Sequence, residues 1–155
     1  MEKNSPIYKE YLEILKRELV PAMGCTEPIA IAYCAAKARS VLGCLPDKVT
    51  IAASGNIIKN VKSVIVPNTG GRKGIEAAAA IGIVAGDETA GLEVIAHARE
   101  ENKIKLGGYL DHTDIHVEFA QSDHVLDIIV KVSKGHDNAI VQVVNEHTNI
   151  VKITR

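Results

Sequence analysis

Hydrophobic residues fall into two regimes along the chain. In the first two thirds they recur at helical spacing. Ile7, Tyr11, Ile14, Leu15 and Leu19 form one stripe, opposed by Lys9, Glu10, Glu13, Lys16 and Arg17. Ser5-Pro6 supplies a cap and a first-turn proline, and Pro21 ends the segment. A second helix is expected from about Pro28 to Leu42, with alanines at 30, 32, 35, 36 and 38 permitting close packing and Gly43 closing it. Ile75 to Ala85, nearly all Ala, Ile and Gly, reads as a buried helix. Thr89 to Glu100 reads as a more amphipathic one, and Asn102 to Tyr109 as a shorter helical piece.

Strand signals are concentrated in the last third. Lys48 to Ala53 is one early strand. Ile115 to Ala120 alternates, and Val125–Ser133 and Ala139–Asn145 are β-branched runs joined by the turn signal Lys134-Gly135-His136-Asp137-Asn138. Ile150 to Thr154 is a final strand. The alternation in Ile128, Val130 and Val132 and in Ile140, Gln142 and Val144 predicts an antiparallel meander that packs one face on helices. Helices first and strands last, with one early strand, predict an α+β fold with a mostly antiparallel sheet.

Composition narrows the functional classes. The chain has 155 residues, 46% apolar and 24% charged, which suits one globular domain (1–155). A net charge of −1, no dense basic block, no Trp and one Phe argue against nucleic-acid or anionic-membrane partners. No charged-then-apolar leader and no run of ~20 apolar residues stand out, so a cytoplasmic location is expected. Three cysteines without such a leader read as thiols or ligands, not as a disulfide framework. A homo-oligomer stays open.

Chemistry concentrates at Gly24-Cys25-Thr26-Glu27-Pro28. Thr26 and Glu27 can cap a first turn, and Pro28 suits a first helical position. A thiol at such a helix mouth is biased toward thiolate. Cys34 among alanines reads as core, and Cys44 as part of a helix-ending loop. Helix rise separates Cys34 from Cys25 by on the order of 10 Å, so the three thiols do not form a cluster site by themselves.

The loop Asn68-Thr69-Gly70-Gly71-Arg72-Lys73-Gly74 can turn backbone N–H groups toward a carboxylate or phosphate, although its spacing is not that of the phosphate loop. Asn56, Lys59 and Asn60 can converge on one face and suit an amino-acid carboxylate. Asp111 to His116 carries the residue types of a metal site, with His112, Asp114 and His116 on one strand face. His97, His124, His136 and His147 show no partner pattern and read as surface residues.

Three segments in order carry a resemblance: Val20 to Pro28 (VPAMGCTEP), Asn56 to Val61 (NIIKNV) and Val66 to Gly71 (VPNTGG), followed by the alanine-rich helix. They resemble the L-cysteine desulfidase family, related to the α-chain of iron–sulfur L-serine dehydratases, over roughly the first half of the chain. The resemblance implies the N-terminal part of a 4Fe–4S lyase that β-eliminates L-cysteine or L-serine to pyruvate and ammonia, releasing sulfide or water. It implies Cys25 as one of three cluster thiolates, the other two coming from the C-terminal half of a longer protein or from a second subunit. Thr26, Asn56, Asn60, Asn68, Thr69 and Gly70 become candidate neighbours of a small amino-acid substrate. Glu27 or Lys59 becomes the group that moves the α-proton. On this reading the chain alone binds no cluster and is inactive. The rival is a non-catalytic amino-acid-binding or assembly domain, and a metal module on Asp111 to His116 is a third possibility.

Overall fold

The computed structural model describes residue 3 and residues 5–155. Helix α1 (Pro6–Glu18) is capped by Ser5, whose hydroxyl accepts the Tyr8 N–H at 3.2 Å. Helix α2 (Thr26–Leu42) starts from Cys25 as its N-cap and ends at Gly43, in the left-handed region at φ 85°. Pro28 therefore sits at the third helical position rather than the first, still within the turn that has no intrahelical use for an N–H. Strand β1 (Lys48–Ala53) leads into the short helix α3 (Gly55–Val61). Helices α4 (Gly74–Ala85) and α5 (Glu100–His112) follow, then strands β2 (Asp114–Phe119), β3 (Asp127–Lys134), β4 (Asp137–Val144) and β5 (Ile150–Thr154).

The sheet runs β2-β1-β3-β4-β5. Only the β1–β2 pair is parallel; β1–β3, β3–β4 and β4–β5 are antiparallel. The architecture is α+β, and the last three strands form the expected antiparallel meander. One face is covered by helices: Val49, Ile51 and Ala53 of β1, Ile128, Val130 and Val132 of β3, and Ala139, Val141 and Val143 of β4 are buried. In β4 the inward set is Ala139, Val141 and Val143. Residues opposite one another in an antiparallel pair share a face. Ile128 pairs with Val143, Val130 with Val141 and Val132 with Ala139, so Ile140 and Gln142 lie on the open side. The turn at Gly135, φ 58°, sets that register.

Helix α2 lies on β3 and β4 and packs along α4. The approach of the two helices is close because both present small residues. A β-carbon at Gly82 would stand 2.1 Å from the Ala32 carbonyl oxygen. Helix α5 also packs on α4.

The helix expected over Thr89 to Glu100 reduces to one 3-10 turn, Gly91–Glu93. Asp87 takes both the Thr89 N–H (2.9 Å) and hydroxyl, and Gly91 sits at φ 55°, so the chain turns there instead of winding. Helix formation resumes at Glu100, where the Asn102 side chain accepts the Arg99 N–H at 2.8 Å, and it runs three residues past Tyr109. Among the described residues no helix is long and apolar enough to cross a membrane.

Candidate functional site at the start of helix α2

Cys25 is exposed at the first turn of α2, and its thiol donates to Glu27 Oε2 at 3.1 Å. The expected bias toward thiolate is reversed. Partial burial first, and the Glu27 carboxylate accepting its proton second, push the Cys25 thiol up from its ordinary value. The same contact holds Glu27 below its ordinary carboxyl value, with smaller contributions from the charge of His147 and the amide of Asn60.

Glu27 lines a cleft of about 400 Å3 with Asn56 and Ile57 of α3, Asp123 to Leu126, Asn145 and His147. The cleft walls are wired together through Asp127, which is buried. Its carboxylate accepts from Ser122 Oγ at 2.7 Å and from Gln142 Nε2 at 2.9 Å. The Asp127 N–H donates to Ser54 Oγ (3.2 Å), and Ser54 Oγ donates to the Val125 carbonyl (2.7 Å). Ser54 is the residue from which α3 starts, so this network ties the segment bearing His124 to the helix bearing Asn56. A second cavity of about 360 Å3 lies beside the first, lined by Arg17, Glu18, Val20, Thr26, Leu92 and residues 145–148. Asn145 and His147 line both.

The candidate residues divide by position. Glu27, Asn56 and Asn60 come together with Cys25 at the junction of α2 and α3, and Thr26 faces the neighbouring cavity. Lys59 is exposed on α3 and lines neither cavity. The glycine loop lies close by: a β-carbon at Gly24 would touch the Pro67 ring at 3.6 Å. Its side chains are committed elsewhere. Thr69 is buried, and its hydroxyl donates to the Val66 carbonyl (2.7 Å) and accepts the Arg72 N–H (3.0 Å). Asn68, at φ 58°, donates its amide to the Ile95 carbonyl at 2.9 Å. Gly70 is the open tip of the turn, at φ 72°. The loop is a closed turn held by the Val66–Arg72 backbone bond of 2.9 Å, and the Arg72 guanidinium lies against Gly107 of α5.

Asp123, His124, Asn145 and His147 escaped sequence reasoning. They converge only through the β3–β4 pairing, and their spacing carries no period. Asn145 alone had a local signal, as an Asn in a turn, and it adopts φ 67°. The Asp111 to His116 stretch is not a strand-face ligand set. His112 closes α5, its ring bonded to the Gly108 carbonyl at 2.8 Å, while Asp114 opens β2. His116 and Glu118 pair on that strand at 3.6 Å.

The donor set fits one corner of an iron–sulfur cluster and not a whole one. Cys34 is fully buried, bonded to the Val141 carbonyl at 3.3 Å, and its thiol is pushed up to about 12 by burial. Cys44 lies beyond the opposite end of α2, roughly 25 Å of helix away from Cys25. Among the described residues no three His, Cys, Asp or Glu side chains gather as a metal-holding group.

No protein-family model matches the chain, and no solved structure does. It is 52% identical over all 155 of its residues to a UPF0597 protein of Desulfitobacterium hafniense (strain Y51), a match that spans 36% of that protein. It is 51% identical over 148 residues, 95% of this chain and 36% of the relative, to a UPF0597 protein of Finegoldia magna. A UPF0597 protein of Vibrio campbellii is 38% identical over 149 residues, 96% of this chain and 35% of the relative. The chain thus spans about a third of the length of the curated relatives it matches. None of these three names states an activity.

Proposed function

We propose that this chain is part of an iron–sulfur-dependent lyase, of the L-cysteine desulfidase or L-serine dehydratase kind, and supplies it with one cluster thiolate and one wall of the amino-acid pocket. The observation that carries this reading is the exposed Cys25 thiol, 3.1 Å from Glu27, whose side chain lines the cleft. A thiol that only filled core space would be buried among apolar atoms, as Cys34 is.

Cys25 is the residue that would hold the cluster, and its open iron would act as a Lewis acid toward the leaving sulfur or oxygen. The remaining roles belong to this chain's own groups. Glu27 accepts the α-proton, because it lines the cleft beside Cys25, whereas Lys59 lines neither cavity. Asn56, which lines the cleft, presents its amide to the substrate's carboxylate, while the Asn60 amide is turned to Glu27. His147, close enough to Glu27 to act on its charge, favours the ionised carboxylate. Loss of the α-proton and of the β-substituent leaves an enamine, which hydrolyses to pyruvate and ammonia.

The test is anaerobic reconstitution of the chain with iron and sulfide, alone and together with the polypeptide corresponding to the rest of the longer relatives. Iron is counted, and pyruvate is assayed from L-cysteine and from L-serine. Pyruvate formed by the complete assembly and lost with Cys25→Ser supports the reading. A folded complete assembly without iron or pyruvate overturns it. An amino acid bound there without turnover would favour the non-catalytic binding domain.

A further inference from the structure

Helix α1 stands apart from the body. No residue of it is buried, and it makes no extensive contact with any other helix or strand. Its apolar residues lie on one side, and they are bare. Tyr11 is 55% exposed, Leu15 49% and Leu19 72%, with Ile7 and Ile14 beside them. A soluble chain rarely leaves such a contiguous apolar stripe uncovered without a partner for it. A helix of 13 residues is also marginal in water when nothing packs on it.

We infer that the apolar face of α1 is the docking surface for the polypeptide corresponding to the two thirds of the long relatives that this chain does not span. Three observations select this occupant. The matched relatives carry almost twice as much chain outside the matched segment as inside it. The polar side of α1 is charge-balanced, with Lys9, Lys16 and Arg17 against Glu10, Glu13 and Glu18, which suits a protein groove and not an anionic lipid surface. The C-terminal end of α1 also borders the site: Arg17, Glu18 and Val20 share the smaller cavity with Thr26, Asn145 and His147, so a polypeptide seated on α1 ends beside the start of α2. The docking inference stands on geometry and does not need the lyase reading. Its test reads burial, not turnover.

The test is amide hydrogen exchange. Exchange across residues 6–18 is measured in the 155-residue chain and in a chimera where this chain replaces the matching segment of the Desulfitobacterium hafniense relative. The expected result is at least a hundredfold slowing of α1 amides in the chimera, abolished by the pair Tyr11→Glu and Leu15→Glu and kept with Lys9→Ala. Equal exchange in the two proteins overturns the inference. A second measurement serves if the chimera does not fold: light scattering of the 155-residue chain over a range of concentrations. A monomer throughout agrees with a heterologous partner. A dimer that Tyr11→Glu with Leu15→Glu dissociates would assign the face to a second copy and overturn the inference.

Discussion

Replacing Gly82 by alanine tests whether the α2–α4 contact is as close as described. Two terms oppose one another. Alanine in a helix interior is favoured over glycine by about 1 kcal/mol. Against this, the new β-carbon would stand 2.1 Å from the Ala32 carbonyl oxygen and 2.8 Å from the Ala32 Cα and carbonyl carbon. Overpacking of a core costs about 1–3 kcal/mol when side chains can turn aside, and occasionally more. Here the obstacle is backbone on a helix whose other face rests on the sheet, so the upper end applies. The net expected loss is about 2 kcal/mol, or roughly 4–8 °C in midpoint for a chain of this size. Two internal controls come from α5. Gly108→Ala meets nothing within 4 Å and should stabilise by up to about 1 kcal/mol. Gly107→Ala meets the Arg72 guanidinium end at 2.8 Å, which can swing away, so it should be near neutral. Thermal and urea unfolding followed by circular dichroism order the three. If Gly82→Ala melts at or above Gly108→Ala, the helices are further apart than the structure places them and the packing argument fails.

Thiol labelling of the native protein should modify Cys25 and Cys44 and spare Cys34, with all three reacting in denaturant; rapid native labelling of Cys34 would contradict its burial. The alkylation rate of Cys25 should reach half its plateau above pH 9.0, and Glu27→Gln should move that midpoint down by removing the negative charge beside the thiol, so an unmoved profile would refute the coupling. The sign for stability follows. The depressed Glu27 carboxyl stabilises above its ordinary 4.5 and loses this as pH falls, while the raised Cys25 thiol stabilises below 9.0 and loses this as pH rises. Asp127→Ala removes two side-chain hydrogen bonds to a buried carboxylate and should cost about 3 kcal/mol, with faster amide exchange over residues 120–126; unchanged exchange there would show that the network does not hold the cleft wall.

Periodicity sufficed where burial is one-sided. The strands of the meander and the alanine-rich helices were legible because their partners are local or their composition is extreme. The parity of β4 was not, since Ile140 and Val141 are both β-branched and only the turn at Gly135 decides which faces inward. The 89–100 helix was misread because its apolar spacing is real but Asp87 and Gly91 act on the backbone first. At the site, Cys25, Glu27, Asn56 and Asn60 were readable as residue types on two capped segments. Thr69 was overread: a buried hydroxyl that closes its own turn has the same sequence signature as one offered to a ligand. His124 and His147 were invisible, because they come to the cleft that Glu27 lines only when the β3–β4 hairpin packs on α2.

The sheet order carries a consequence for the order in which the molecule can be made. Strand β1 emerges early from the ribosome, yet its neighbours β2 and β3 begin at Asp114 and Asp127, more than sixty residues later. Until then its polar backbone has no ladder, and the alanine faces of α2 and α4 have only each other. The cleft is later still, for Glu27 waits on Asn145 and His147 at the far end of the chain. Any ligand held there is captured only after residues 145–147 have emerged and cannot template the early steps. Nascent chains halted before β3 should therefore lack both the sheet and the pocket, and the chaperoning of β1 during that interval falls to whatever covers exposed strand edges in the cell.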